Sequence, residues 1–119
     1  MSVAYSSCLP PLRIGDAIDI YGMTPRAIRY YEHVGLVHAH RDRLNIRYYD
    51  DVARERLWWI SRLRRAKVSL AVIRRVLAAS TAEARARAAE KVLADRRREL
   101  LAAVRGLDDL IAEIAPQAQ

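Results

Sequence analysis

Apolar residues recur three and four positions apart along most of this chain, with polar residues between them, so the pattern predicts a mainly helical protein. Ile14, Ala17, Ile18 and Tyr21 mark a first short helix that meets a stop at Gly22. Thr24 and Pro25 follow as N-cap and first helical residue, and a second helix covers about residues 25–34 before Gly35. The period then changes. Leu36 and Val37 open an extended run, residues 41–45 form a polar turn, and residues 46–49 return in β-prone types. This predicts a two-stranded hairpin, with Asn45 at a turn position that tolerates positive φ, leaning on the helices because a lone hairpin is marginal in water. Asp50-Asp51 caps a third helix, striped by Val52, Leu57, Ile60 and Leu63, to about residue 65. Ser69 caps a fourth, with Leu70, Ile73, Val76 and Leu77 as its apolar stripe. Residues 1–12 carry Ser6, Ser7, Pro10 and Pro11 without an apolar period and read as a flexible arm.

The last segment opens on Ser80, with Glu83 three residues later in the pattern of a capping box. Beyond it Leu93, Leu100, Val104, Leu107, Ile111 and Ile114 recur in the intervals of a coiled-coil seam. A helix of about 33 residues would reach about 50 Å, too far to bury its stripe on so small a head. A second copy is the natural partner, which predicts a homodimer through paired terminal helices. Gly106 lies inside this stretch and is a place where the helix can bend or end. The chain thus divides into an arm (1–12), a head (13–79), a dimerisation helix (80–115) and a tail (116–119).

Two short helices around the turn at Gly22-Met23 have the form of a helix-turn-helix, whose second helix enters the major groove of DNA. Arg26, Arg29, Tyr30 and His33 fall along one side of that second helix, leaving Ala27, Ile28, Tyr31 and Val34 to face a core. Charge agrees with this reading. The net charge is +7, and all of it lies in residues 1–80, whereas residues 81–119 carry equal numbers of acidic and basic groups. Within residues 1–80 every basic side chain except Lys67 is arginine, whose planar fork suits phosphates and guanine edges.

Other chemistries fare worse. At 119 residues, against roughly 100 to 200 per domain, a two-domain enzyme is disfavoured. No nucleophile has a base at useful spacing, and no glycine-rich phosphate loop or carboxylate pair in a pocket is evident, so no catalysis and no cofactor is expected. The single Cys8 cannot build a thiolate metal cage. His38 and His40 alternate as metal ligands on a strand can, but lack a third ligand nearby, so no metal site is assigned. No apolar run spans a bilayer and no secretory leader is visible, giving the expectation of a cytoplasmic, nucleoid-associated protein with no membrane partner.

The strings Arg13-Ile14-Gly15-Asp16-Ala17, Gly22-Met23-Thr24-Pro25-Arg26-Ala27-Ile28-Arg29-Tyr30-Tyr31-Glu32, Gly35-Leu36 and Arg47-Tyr48-Tyr49-Asp50 resemble the MerR family of bacterial transcription regulators. The resemblance covers about residues 12–78. It implies a winged helix-turn-helix head joined to an antiparallel two-helix dimer. It also implies binding of double-stranded DNA at a pseudo-palindromic promoter, whose overlong spacer is bent and untwisted until its elements align for RNA polymerase. By matching position, Thr24, Arg26, Arg29 and Tyr30 would face DNA from the recognition helix, and Arg41 and Arg43 from the wing. Arg47 either bonds DNA or pins the wing to the head. Tyr31 and Tyr49 are assigned to the core with wet hydroxyls.

Three departures from the family pattern matter. Ile18 stands where a small residue is usual and needs room that Ala17 can provide. Lys67 stands where glycine is common, at a cost if φ is positive, and places a cation near DNA phosphate. Trp58 replaces a polar residue and either lies on its own head or clasps the partner's terminal helix. Relatives that sense soft metals hold thiolates around the dimer helix, whereas residues 81–119 contain neither cysteine nor histidine, and no separate effector domain fits. The effector, if any, is open. The competing reading is an architectural or excisionase-like protein that shapes DNA without regulating transcription.

Overall fold

The structure is a computed structural model and describes residues 12–115; the greater part of the expected arm and all of the tail lie outside these residues. Its elements run β1 (Leu12–Arg13), α1 (Ile14–Tyr21), α2 (Pro25–His33), β2 (His40–Arg41), β3 (Arg47–Tyr49), α3 (Asp51–Arg65), α4 (Leu70–Leu77) and α5 (Ala82–Ile114). The helices α2 to α5 each start on a side-chain cap, whereas α1 follows directly from β1 with Arg13 at its N-cap and no side-chain cap. Thr24 Oγ1 accepts from the Ala27 amide at 3.1 Å, Asp50 Oδ1 from Ala53 at 2.9 Å and Ser69 Oγ from Val72 at 3.3 Å. The expected box at Ser80 moves by one residue: Thr81 is the cap, accepting from Ala84 at 3.0 Å, so Glu83 falls in the first turn instead of closing a reciprocal pair.

Ile28, Leu36, Tyr49, Leu57, Ile60, Leu63, Ile73 and Val76 make one core beneath the two halves of the head. Ala17 is fully buried and leaves Ile18 space against that core, half-exposed. Val52 does not join the α3 stripe. It is 65 % exposed because Ala53, Leu57 and Ile60 keep the inward face at steps of four and three, which turns the preceding residue outward.

The hairpin is one strand wider than the sequence predicts. β1 pairs antiparallel with β3, Leu12 opposite Tyr49 and Arg13 opposite Tyr48, giving a sheet of order β1-β3-β2. Leu12 therefore belongs to the head and not to the arm. It is buried with Tyr49, and a third strand supplies the ladder that a two-stranded hairpin lacks. Asn45 takes the left-handed conformation in the turn, φ 63°.

Two helices of the head end in the same backbone motif. At the end of α2, Gly35 N–H donates to Glu32 and Leu36 N–H to Tyr31; at the end of α3, Lys67 N–H donates to Arg64 and Val68 N–H to Leu63. Gly35 enters this turn at φ 82° without penalty, but Lys67 holds φ 63° with a Cβ in place. Relieving that strain, offset by glycine's greater freedom in the unfolded chain, leaves roughly 0.5–1 kcal/mol. Lys67→Gly should accordingly raise the thermal midpoint by a few degrees in a calorimetric scan; an unchanged or lower midpoint would show that the turn carries no such strain.

α5 is a continuous helix of 33 residues, unbroken at Gly106, and gives the molecule a length of 72 Å. Its first turns dock on the head through buried Ala89 and through Arg85, whose Nε and Nη2 donate to the two oxygens of Glu55 on α3 at 2.6 and 3.0 Å. Arg96 Nε donates to the Ala66 carbonyl at 2.9 Å, and beyond it the helix leaves the head.

Candidate nucleic-acid interface

The recognition helix α2 is divided as its sequence requires. Ile28 is fully buried, Ala27, Tyr31 and Val34 are half-buried, and Arg26, Arg29, Tyr30 and His33 are exposed. Among the described residues Arg26, Arg29 and Arg43 form no ion pair, so their forks are open to an external anion. Thr24 uses a lone pair to cap the helix and keeps its O–H for another acceptor. The structure brings Thr24, Arg26 and Tyr30 around a concavity of about 480 Å³ together with Arg64, whose guanidinium also holds the Val68 carbonyl at 3.1 Å. Arg64 was legible only as part of a basic helix end. Its approach to α2 depends on how α3 crosses it.

The wing is tied to this helix by Glu32. Tyr49 donates its hydroxyl to Glu32 Oε2 at 2.6 Å, and Arg47 Nε lies 3.3 Å from Glu32 Oε1, with both partners of that ion pair mostly buried. Of the two sequence readings for Arg47, this geometry is the one that pins the wing. The Tyr49 hydroxyl is not wet as expected; burial first, then the adjacent Glu32 carboxylate, push its pKa far above the ordinary range. Arg74 on α4 adds a second tie, donating to the Val34 carbonyl at the end of α2 at 2.9 Å. Replacing Glu32 with alanine would leave a buried hydroxyl and a guanidinium without their acceptor, so chemical denaturation should show a loss of about 2–3 kcal/mol. Glu32→Gln, which keeps an acceptor for Tyr49, should lose less; equal stability of alanine variant and parent would remove Glu32 from this role.

At the wing turn Asp42 Oδ1 accepts from the Leu44 and Ile46 amides at 2.9 Å each, and Oδ2 accepts from Arg13 at 2.8 Å. The Ile46 amide foremost, with Arg13 and Leu44, holds this carboxyl below the usual range despite some desolvation. Arg41 donates to the Asn45 carbonyl at 2.9 Å and is exposed, as is Arg43. His38 and His40 meet edge to face at 4.8 Å, and His40 Nε2 donates to Asp50 Oδ2 at 2.8 Å. Burial alone would raise Asp50, but the Ala53 amide and His40 outweigh it and hold the carboxyl low. Among the described residues no group of three or more His, Cys, Asp or Glu is placed to hold a metal ion. Lys67 is exposed on the turn between α3 and α4.

The second candidate surface is the outer half of α5. Ala86, Ala89 and Val92 pack on the head, and at continuing steps of three and four the same face becomes Leu100, Val104, Leu107, Ile111 and Ile114, all exposed, as is Leu93. Trp58 lies half-buried on its own head, edge to face with Trp59 at 4.8 Å and with the Arg62 guanidinium 4.9 Å from its ring centre. No helix among the described residues is long and apolar enough to cross a membrane.

Residues 12–80 match the profile of the family described as MerR HTH family regulatory protein. A crystal structure from Listeria monocytogenes, assigned to the MerR family of transcriptional regulators, superposes with a TM-score of 0.63 at 26 % identity, covering 91 % of this chain and 86 % of that one. HiNmlR, a MerR family regulator lacking the sensor domain and solved bound to promoter DNA, shares the fold with a TM-score of 0.60 at 22 % identity, over 83 % of this chain and 80 % of that one. No curated protein sequence gives a significant match.

Proposed function

The chain belongs to the MerR family of helix-turn-helix regulators and is a DNA-binding transcription regulator; from that premise we propose that it works as a homodimer on a pseudo-palindromic promoter site and bends or untwists the spacer between promoter elements. The observation that carries the reading is the exposed apolar face of α5. It continues the face packed on the head, and it extends past the point where the head can cover it. An antiparallel pair of such helices buries both faces and sets two recognition helices at a fixed separation, one or two turns of about 34 Å apart on the duplex.

In this arrangement the head (13–79) reads DNA and α5 supplies the dimer contact through Leu93, Leu100, Val104, Leu107, Ile111 and Ile114. Arg26, Arg29, Tyr30 and His33 enter the major groove with Thr24 at their edge. Arg41, Arg43 and Lys67 meet flanking phosphates, and Arg47 acts through Glu32 by holding the wing in place. The fixed separation favours one site geometry over many, and a related fold without a sensor domain is known on promoter DNA. RNA polymerase would then be the partner at the promoter, engaging elements that the distortion brings into line.

The test is to capture sheared genomic DNA on the purified protein, sequence it and map the sites against promoter elements. Inverted repeats inside overlong spacers are the expected result. Repeats over promoters of normal spacing would replace distortion with simple blocking of polymerase, and broad coverage without a motif would favour the architectural reading.

A further inference from the structure

Pairing of β1 with β3 does more than widen the sheet. Leu12 and Tyr49, opposite each other, face the core, so the next pair in register, Arg13 and Tyr48, lies on the outer face, with His40 of β2 opposite Tyr48 on the other side. His40 stacks on Tyr48 with ring centres 5.5 Å apart and planes at 27°. Arg13 and Tyr48 of this row floor a concavity of about 550 Å³ whose other walls are Arg41, Asp42 and Arg43 from the wing turn.

The charge of this concavity is decided by what Asp42 is already doing. Its carboxylate takes two backbone amides and the Arg13 guanidinium, so it fixes the turn and aims Arg13 while three of its roughly four acceptor sites are taken. Arg13 spends one N–H on that bond, Arg41 spends one on the Asn45 carbonyl, and Arg43 has no ion pair among the described residues. Three guanidiniums against one engaged carboxylate leave a basic hollow with several unspent donors and a phenol at its base. Its unspent N–H donors suit the oxygens of a phosphate, and its volume leaves room for the chain that carries it.

We propose that this hollow seats one backbone phosphate of the DNA flanking each half-site, with Arg13 and Tyr48 as contacts beside Arg41 and Arg43. The proposal rests on the DNA-binding reading above and adds to it a contact from the first strand. Arg13 gets there by tertiary pairing alone. Because a phosphate contact carries no base information, the seat sets register and affinity equally on all sequences.

The experiment measures binding of the full-length protein to its captured site and to a scrambled duplex across a range of salt, by fluorescence anisotropy, with phosphate-ethylation interference on the same site. Arg13→Gln and, separately, Arg43→Gln should each weaken both duplexes several-fold, lower the slope of log affinity against log salt by about one per subunit, and lift the interference at one flanking phosphate on each side. Arg13→Lys, which keeps the charge, should restore the slope. Arg43 makes no ion pair among the described residues, so its variant separates loss of a DNA contact from loosening of the wing. Unchanged slope and interference in both glutamine variants, while Arg29→Ala still abolishes preference for the captured site, would overturn the seat and leave the regulator reading intact. No salt-dependent binding by the unaltered protein would overturn both.

Discussion

Glutamate at both Leu107 and Ile111 is expected to give a folded monomer whose affinity for its promoter site is at least 100-fold lower. The two side chains are 60 % and 64 % exposed and touch nothing of the head, so charge there costs the single chain little. In a paired helix the same carboxylates would be buried opposite apolar residues without a partner, and several kcal/mol per site would oppose association. The head stays folded because α5 is anchored by Ala89 and the Arg85–Glu55 pair, well before the altered turns. Loss of affinity then follows from losing the second head: coupling two modules raises affinity by roughly 10²–10⁴ over either alone. Sedimentation velocity, circular dichroism and anisotropy on one preparation would separate these steps. A variant that remains dimeric would show that the partner is held by some surface other than the outer face of α5.

Arg29→Ala is expected to cost about 1–3 kcal/mol in each half-site, or roughly 2–6 kcal/mol for the dimer, with the loss confined to the preferred sequence. Arg29 projects from the exposed side of α2 and forms no ion pair among the described residues, so its removal takes away a donor fork without opening a cavity. The thermal midpoint should hardly move. Competition between specific and scrambled duplexes is the decisive measurement, because a residue that only neutralises phosphate would weaken both alike. Equal weakening would move the reading helix's specificity to Arg26 or Tyr30.

The contrast between Arg29 and Glu32 shows where sequence pattern is informative. Arg29 is legible because it lies three and four positions from Arg26 and His33 on a helix whose opposite face is apolar. Glu32 sits on the same helix with the same polarity, yet it turns inward to Tyr49 and Arg47, residues 17 and 15 positions away. Nothing in the helical period distinguishes a carboxylate facing solvent from one that finds two partners on a neighbouring strand. Asp42 and Arg13, 29 positions apart, are equally silent until the strands meet.

What the sequence determined by itself is what depends on neighbours within a turn or so. The starts of α2, α3 and α4, the positive φ of Asn45, the two faces of α2 and the apolar stripe of α5 all follow from side-chain spacing and from hydroxyls and carboxylates able to reach an amide three residues on. Even there the signal is ambiguous by one position, since Ser80 and Thr81 are both competent caps and Thr81 is the one that caps α5. The tertiary structure alone decided that Leu12 leaves the arm for the sheet, that Val52 faces outward, that Arg47 holds Glu32, and that Arg13 joins the wing. Each of these is a choice between partners far apart in sequence, and its free energy comes from burial and hydrogen bonds that exist only after the elements have packed.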